Sequence, residues 1–281
     1  MGTVASDSLQ HAQVNGLRLA YELRGAGDPV VLIHWGVSSL WGQPLVEMPA
    51  LAARHRLLRY HRAGYTGSDV VAGPVSIATH AAHCVDLLGG LGIEKAHLVG
   101  HSSSAAIALQ LALDAPEVVA SLTLMEPARP APPTELGAAF LRDVVAPAVG
   151  AHRAGDRAGA VDAWFRGVFG SEFEGLIERA LPGVVDRAVA EADAFFGQEL
   201  PALQEWSFTE DDARKIAQPV LAVVGARTAP TFRERLELLA SWLASVETFE
   251  LPEATHLLHL EQPRAMAEAM ASFHARHPIA A

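Results

Sequence analysis

The chain has 1 cysteine among its 281 residues. That residue, Cys84, leaves no partner for an internal disulfide and fits a reducing compartment. It sits in an apolar helical stretch and reads as a buried, inert thiol. Lysine is nearly absent too: Lys95 and Lys215 stand against plentiful arginine, a usage that suggests a GC-rich bacterial genome. Basic residues as a whole are outnumbered, 21 against 32 acidic ones, for a net charge of −11. Such a balance argues against nucleic acid or an anionic membrane as the main partner. Although 50% of the residues are hydrophobic, no uninterrupted apolar run is long enough to span a bilayer. Met1 to Gln10 has neither a basic n-region nor an apolar h-region, so no secretory signal is expected and a cytoplasmic location is. Gly2 followed by Ser6 formally fits a myristoylation pattern, a match short enough to arise by chance. No pair among the 13 histidines has the helical His-Glu-x-x-His spacing of a zinc site, so neither a metal nor another cofactor is expected. The remaining expectation is a small-molecule partner, with a homodimer left open. The length suffices for one large α/β domain or for a core with an insertion.

Alternating residues over Gln10 to Val14 and Leu17 to Leu23 flank Asn15-Gly16, a strong hairpin signal. Pro29 to His34 is continuously apolar, as a strand covered on both faces would be. A loop, Trp35 to Ser39, and a helix over Leu45 to Ala53 follow. The next strand, Arg56 to Tyr60, ends in the turn His61 to Ser68. Ile77 to Leu91 is amphipathic and closes at Gly92, as a helix C-cap does. Further strands are read at Ser121 to Glu126, Pro219 to Gly225 and Val246 to Leu251, with helices at Thr231 to Leu243 and Pro263 to His274. After Pro127 the pattern changes. Arg129-Pro130-Ala131-Pro132-Pro133 is a breaker-rich linker, and up to about Ala217 only helical periodicity is found, as in Ala160-Val161-Trp164-Phe165-Val168. Residues 1–128 and 218–281 therefore read as a core with a mostly parallel sheet wrapped on both faces. Residues 129–217 read as an inserted helical subdomain.

The core is organised around Ala96-His97-Leu98-Val99-Gly100-His101-Ser102-Ser103-Ser104-Ala105-Ala106. This is a buried strand, a tight turn and a helix, with Ser102 at the apex and the helix N-terminus aimed at whatever Ser102 attacks. Such a nucleophile elbow is normally Gly-x-Ser-x-Gly; here Ser104 replaces the last glycine. A serine needs a base within hydrogen-bond reach, and a late loop supplies His256.

Four segments together resemble the α/β-hydrolase superfamily over essentially the whole chain: His34-Trp35-Gly36, His61 to Ser68, the Ser102 elbow, and Ala254-Thr255-His256-Leu257-Leu258-His259-Leu260-Glu261-Gln262-Pro263. The resemblance implies an eight-stranded, mostly parallel sheet with helices on both faces and a helical cap. It assigns His256 as base, while His259, among leucines, is expected to pack. The family's acid commonly follows the strand Val220 to Val224 as Gly-x-x-Asp, but this chain has Gly225-Ala226-Arg227-Thr228. Thr228 can orient a ring and cannot balance its charge. Glu126, ending the preceding strand, keeps the order nucleophile, acid, base, and an unpaired carboxylate there would be costly. Its other reading is a helix-terminus charge or a salt bridge to the cap. By the same resemblance the oxyanion donors are the N–H groups of Ser103 and Gly36, His34 braces their loop, and Trp35 stands where the family has glycine, either as a pocket wall or as packing. His61 stands where the family often has aspartate; the turn from Arg62 to Ser68 reads as structural. In the insertion, Trp164, Phe165, Phe169, Phe195, Phe196 and Trp206 are candidates for an apolar pocket or for its own core, with Trp35, Trp164 and Phe196 put forward as pocket residues.

The function expected from this is a serine-dependent hydrolase with a Ser102–His256–Glu126 triad, acting on an ester, thioester, lactone or related bond of a small apolar metabolite. The competing readings are a lyase, cyclase or cofactor-free oxygenase using His256 as proton acceptor, and a non-catalytic ligand-binding homologue. Substrate identity is not legible, because fold and function are only loosely tied.

Overall fold

The structure, a computed structural model, describes residues 9–128, 134–171 and 173–279. The linker at 129–133 and the Gly2 and Ser6 positions lie outside these residues. Among the described residues, eight strands form one sheet: β1 (Gln10–Val14), β2 (Leu17–Arg24), β3 (Asp28–Leu32), β4 (His55–Tyr60), β5 (Ala96–His101), β6 (Val119–Met125), β7 (Val220–Gly225) and β8 (Val246–Leu251). Their order across the sheet is β1-β2-β4-β3-β5-β6-β7-β8. β2 runs antiparallel to both β1 and β4, while the pairs from β4–β3 to β7–β8 are parallel. The antiparallel edge begins with the hairpin foreseen at Asn15-Gly16, both residues having positive φ (47° and 80°), as the two-residue turn that follows strand twist demands.

The period-two alternation of strand side chains sorts the core into two layers. Val31, Ile33, Leu98, Leu122 and Leu124 face one side, where they pack with Ile77, Cys84 and Leu87 of the helix Ile77–Gly90 and with Leu109 of the helix Ser103–Asp114. Val30, Leu32, Val99, Met125 and Val223 face the other, with Met266, Met270 and Phe273 of the helix Pro263–Arg276. β5 and β7 are buried along their whole length, which is why their sequences are apolar without alternation. Cys84 is fully buried, and burial pushes its thiol up to about 12.

Among the described residues, the segment between β6 and β7 contains helices and no strand. The foreseen stripe of Ala160, Val161, Trp164, Phe165 and Val168 is the buried face of the helix Arg157–Phe169. That face joins the same hydrophobic cluster as Val99, Met125 and Leu251 of the sheet, so these helices pack onto the carboxyl ends of the central strands. One expected element differs. The stretch from Leu45 to Ala53 is two short helices, Gln43–Val46 and Pro49–Ala52. Pro49 has no N–H to continue the first helix and disfavours helical backbone at Met48 before it; it opens the second helix instead. No helix among the described residues is long and apolar enough to cross a membrane.

Candidate active site

β5 delivers the elbow. Ser102 has φ 54° and ψ −117°, a strained conformation for a residue with a side chain. Its N–H donates to the Met125 carbonyl at 2.9 Å and its own carbonyl accepts the Ala128 N–H at 3.1 Å, so the turn is tied to the end of β6. The helix leaves so close to the strand that a Cβ on Gly100 would lie 2.8 Å from Ala105 Cα and from the Ser104 carbonyl oxygen. Glycine is therefore required at 100. At 104 a serine fits: its Oγ accepts the His101 N–H at 2.9 Å and donates to the His101 carbonyl at 3.1 Å. The substitution of the usual glycine thus adds two hydrogen bonds that close the turn.

β6 ends at the carboxylate. Glu126 is fully buried and held at φ 43°. Its Oε1 accepts the Gly225 N–H at 2.7 Å, and its Oε2 accepts the Thr228 hydroxyl at 2.8 Å and the Nδ1–H of His256. Thr228, expected as a group that could orient the ring, instead donates to the acid. The loop after β8 brings His256 to Glu126. There the imidazole stacks on Phe232, ring centroids 3.8 Å apart and planes 14° off parallel, while its backbone carbonyl accepts His101 Nε2–H at 3.1 Å. With Nδ1 engaged by Glu126, the basic lone pair is on Nε2. Burial drives the pair in opposite directions: it pushes the Glu126 carboxyl up to about 7, against the pull of its Gly225 and Thr228 bonds and Arg233. It pushes the His256 imidazole down to about 3, assisted by the charge of Arg235.

Ser102 and His256 line one cavity of about 360 Å³. Its other walls are largely aromatic and aliphatic: Trp41, Phe140, Trp164, Phe169, Phe195 and Phe232, together with Val37, Leu141, Val145 and Leu200. Trp164 is thus a lining residue. Trp35 and Phe196 are not. Trp35 stands behind the wall, edge-on to His259 (4.4 Å between centroids) and to His101 (5.2 Å), and Phe196 packs against Phe195, Trp164 and His152. His259 packs on Trp35 and Trp41 as expected, yet also lines the cavity; burial keeps it well below the ordinary histidine range and hence neutral.

Gly36 and Ser103 meet at the cavity floor. Ser103 opens its helix, so its N–H has no acceptor one turn earlier. A Cβ on Gly36 would lie 2.8 Å from Ser103 Oγ, from Glu199 Oε1 and from Phe195, which explains glycine at that position. The next residue, Val37, carries the strain of this loop at φ 75°. His34 supports the loop through its backbone: its carbonyl accepts Arg62 Nε–H at 3.1 Å, while its ring lies edge-on to Tyr65. His61 closes the following turn through Nδ1–H to the Thr66 carbonyl, 2.5 Å. That bond gives a role to histidine at a place where the family often has aspartate.

Two buried carboxylates of the helical segment, Glu191 and Glu199, were not singled out from sequence. Glu191 accepts the Ser39 N–H (2.7 Å) and hydroxyl (2.6 Å) and the Thr66 N–H (3.0 Å). Glu199 accepts Arg62 Nη2–H at 2.6 Å, the Tyr65 hydroxyl and the Ser103 hydroxyl. Neither stands out by local pattern, because their partners lie 96 to 152 residues away in the chain.

The family model for the alpha/beta hydrolase family matches residues 30–269, and the chain belongs to that family. Over 109 residues it is 41% identical to a protein of Azorhizobium caulinodans named as carbamate hydrolase RutD, a match covering 38% of this chain and 40% of that protein. The chain thus spans about two fifths of that relative's length. Among solved structures, the fold is similar to an enol-lactonase from Burkholderia xenovorans LB400, with TM-score 0.79, 21% identity, and 95% of this chain and 100% of that one covered. It is also similar to a hydrolase from Pseudomonas aeruginosa PA01, with TM-score 0.74, 28% identity, and coverage of 96% and 99%.

Proposed function

We propose that the protein is a serine hydrolase that cleaves an ester, thioester, lactone or related bond of a small, largely apolar metabolite, with the helices between Glu135 and Ala213 acting as a cap over the site. The observation that carries this reading is the Glu126–His256 hydrogen bond at a cavity that Ser102 also lines. Ser102 Oγ attacks the carbonyl carbon as His256 Nε2 takes its proton. Glu126 holds the ring by Nδ1–H and balances the imidazolium that forms. The N–H groups of Ser103 and Gly36 stabilise the tetrahedral oxyanion. His256 then returns the proton to the leaving group, and water activated by the same imidazole releases the acid.

The names of two similar proteins, a carbamate hydrolase and an enol-lactonase, support acyl chemistry of this kind. The aromatic walls and a volume of about 360 Å³ support a small apolar acyl or leaving group, near the lower end of ordinary ligand pockets, which start at roughly 300 Å³. Mass spectrometry after treatment with a fluorophosphonate probe tests the reading. The expected adduct maps to Ser102 in the folded protein and is lost in His256→Ala; a folded protein that acquires no adduct on Ser102 contradicts it. Turnover of a natural substrate retained in Ser102→Ala would favour the lyase or oxygenase alternative.

A further inference from the structure

Glu199 is 2% exposed and ends the π-helical turn Phe195–Glu199, yet it is not a wall of the cavity. It lies behind the floor. Its Oε1 accepts the hydroxyl of Ser103 and would touch any side chain added to Gly36. Its Oε2 accepts Tyr65 and Arg62, and Arg62 in turn reaches the His34 carbonyl, two residues before Gly36. One carboxylate from the helical segment is therefore bonded to the first of the two expected oxyanion donors and packed against the second.

A buried carboxylate is an expensive way to dock one segment on another, since an apolar residue of the same volume would serve as well or better. Here Arg62 supplies the countercharge and Ser103 and Tyr65 donate to the remaining lone pairs, so the cost of burial is met by directed bonds. What those bonds provide, and apolar packing does not, is a fixed direction for the Ser103 side chain and hence for the peptide that carries its N–H. Oxyanion donors work only when they are already aimed before the reaction.

We propose that Glu199 is a positioning residue for the oxyanion hole, through which docking of the helical segment sets the activity of Ser102. The proposal rests on the serine-hydrolase reading. Glu191 offers the internal comparison: it is buried on the same segment and docks into the same two loops, but its partners are Ser39 and Thr66, away from Ser103.

The test uses the full chain, a p-nitrophenyl butyrate assay and phenylboronic acid, which forms a tetrahedral adduct on a serine nucleophile. Glu199→Gln is expected to lower kcat about 10- to 100-fold, a part of the loss seen when an oxyanion donor is removed outright, with KM within about threefold of wild type. Boronate affinity falls in step with kcat. Glu199→Asp restores part of both. Ser103→Ala, which keeps the backbone N–H and removes the bond to Glu199, reproduces the loss and stands in should Glu199→Gln fail to fold. Glu191→Gln changes thermal stability without the selective fall in boronate affinity. Wild-type kcat and boronate affinity in Ser103→Ala or in folded Glu199→Gln, or equal losses in the Glu191 and Glu199 variants, overturn the proposal while leaving the hydrolase reading intact. A wild-type protein that neither turns over the ester nor binds the boronate overturns both.

Discussion

Glu126 carries the negative charge that the turn after β7 lacks. The residue that occupies the commoner acid position, Thr228, donates a hydrogen bond to it, so the two positions act together. Burial holds the Glu126 carboxyl up to about 7, which fixes the sign of the pH response. Above that value the carboxylate accepts Nδ1–H and can balance an imidazolium on His256; below it the protonated carboxyl keeps a carbonyl acceptor but has no charge to balance that cation. The kcat/KM of ester hydrolysis should therefore rise with pH through a limb near 7 that belongs to the Glu126–His256 pair. Glu126→Gln should lower kcat by roughly 10³- to 10⁴-fold, the scale seen when a triad carboxylate becomes an amide, and abolish that limb. At this scale the meeting of Ser102, Glu126 and His256 at one edge of the sheet was legible, because each follows a recognisable strand and parallel strands put their carboxyl ends at one edge. Glu199 was not legible. Its meaning depends on which loops a helical segment lands on, and no local pattern records that.

At the scale of elements, the site is an agreement between four strand ends. The ends of β5, β6, β7 and β8 and the loops after them supply Ser102, Glu126, the Gly225 and Thr228 donors to Glu126, and His256. They approach one another so closely that a Cβ on Gly225 would lie 2.3 Å from the Ala254 carbonyl oxygen and 2.8 Å from that of Thr255. These are backbone atoms of the segment that precedes His256, so they cannot rotate away. Gly225→Ala should cost about 1–3 kcal/mol of stability by overpacking and lower kcat by displacing the base, a coupled loss readable from urea denaturation and steady-state kinetics on the same sample. Loss of stability with unchanged kcat would mean the loop relaxes elsewhere. The strands were legible because they are buried on both faces and bounded by turn residues. The helix expected over Leu45 to Ala53 was not, because apolar periodicity hid the break that Pro49 imposes. The π-helical turns Leu141–Val145 and Phe195–Glu199 carry cavity residues and follow no simple period in sequence.

At the scale of the whole molecule, histidine is the conspicuous titrating burden. His34, His80, His101, His256, His259 and His274 are all buried and held below the ordinary value of 6.5, chiefly by desolvation; His61 and His97 are lowered to about 4. Their folded-state pKa values are depressed, so below 6.5 the unfolded chain takes up protons that the folded chain refuses, and stability falls as pH falls. Each such group contributes a slope of up to about 1.4 kcal/mol per pH unit. Several together exceed the roughly 5–15 kcal/mol of a typical domain within about two units. Glu126, whose pKa is raised, opposes them in part. The protein should unfold cooperatively between about pH 4 and 6, as followed by near-ultraviolet circular dichroism; a native spectrum retained at pH 3 would show that these rings gain compensating partners on protonation.

In the proposed mechanism Ser102, His256 and Glu126 work as one unit, and a double-mutant cycle on kcat for a p-nitrophenyl ester tests this. Groups that act together in one step lose their contribution only once. The double variant Glu126→Gln/His256→Ala should be no slower than His256→Ala alone. Losses that multiply, so that the double variant is slower by the product of the two single effects, would mean that Glu126 does not act through His256.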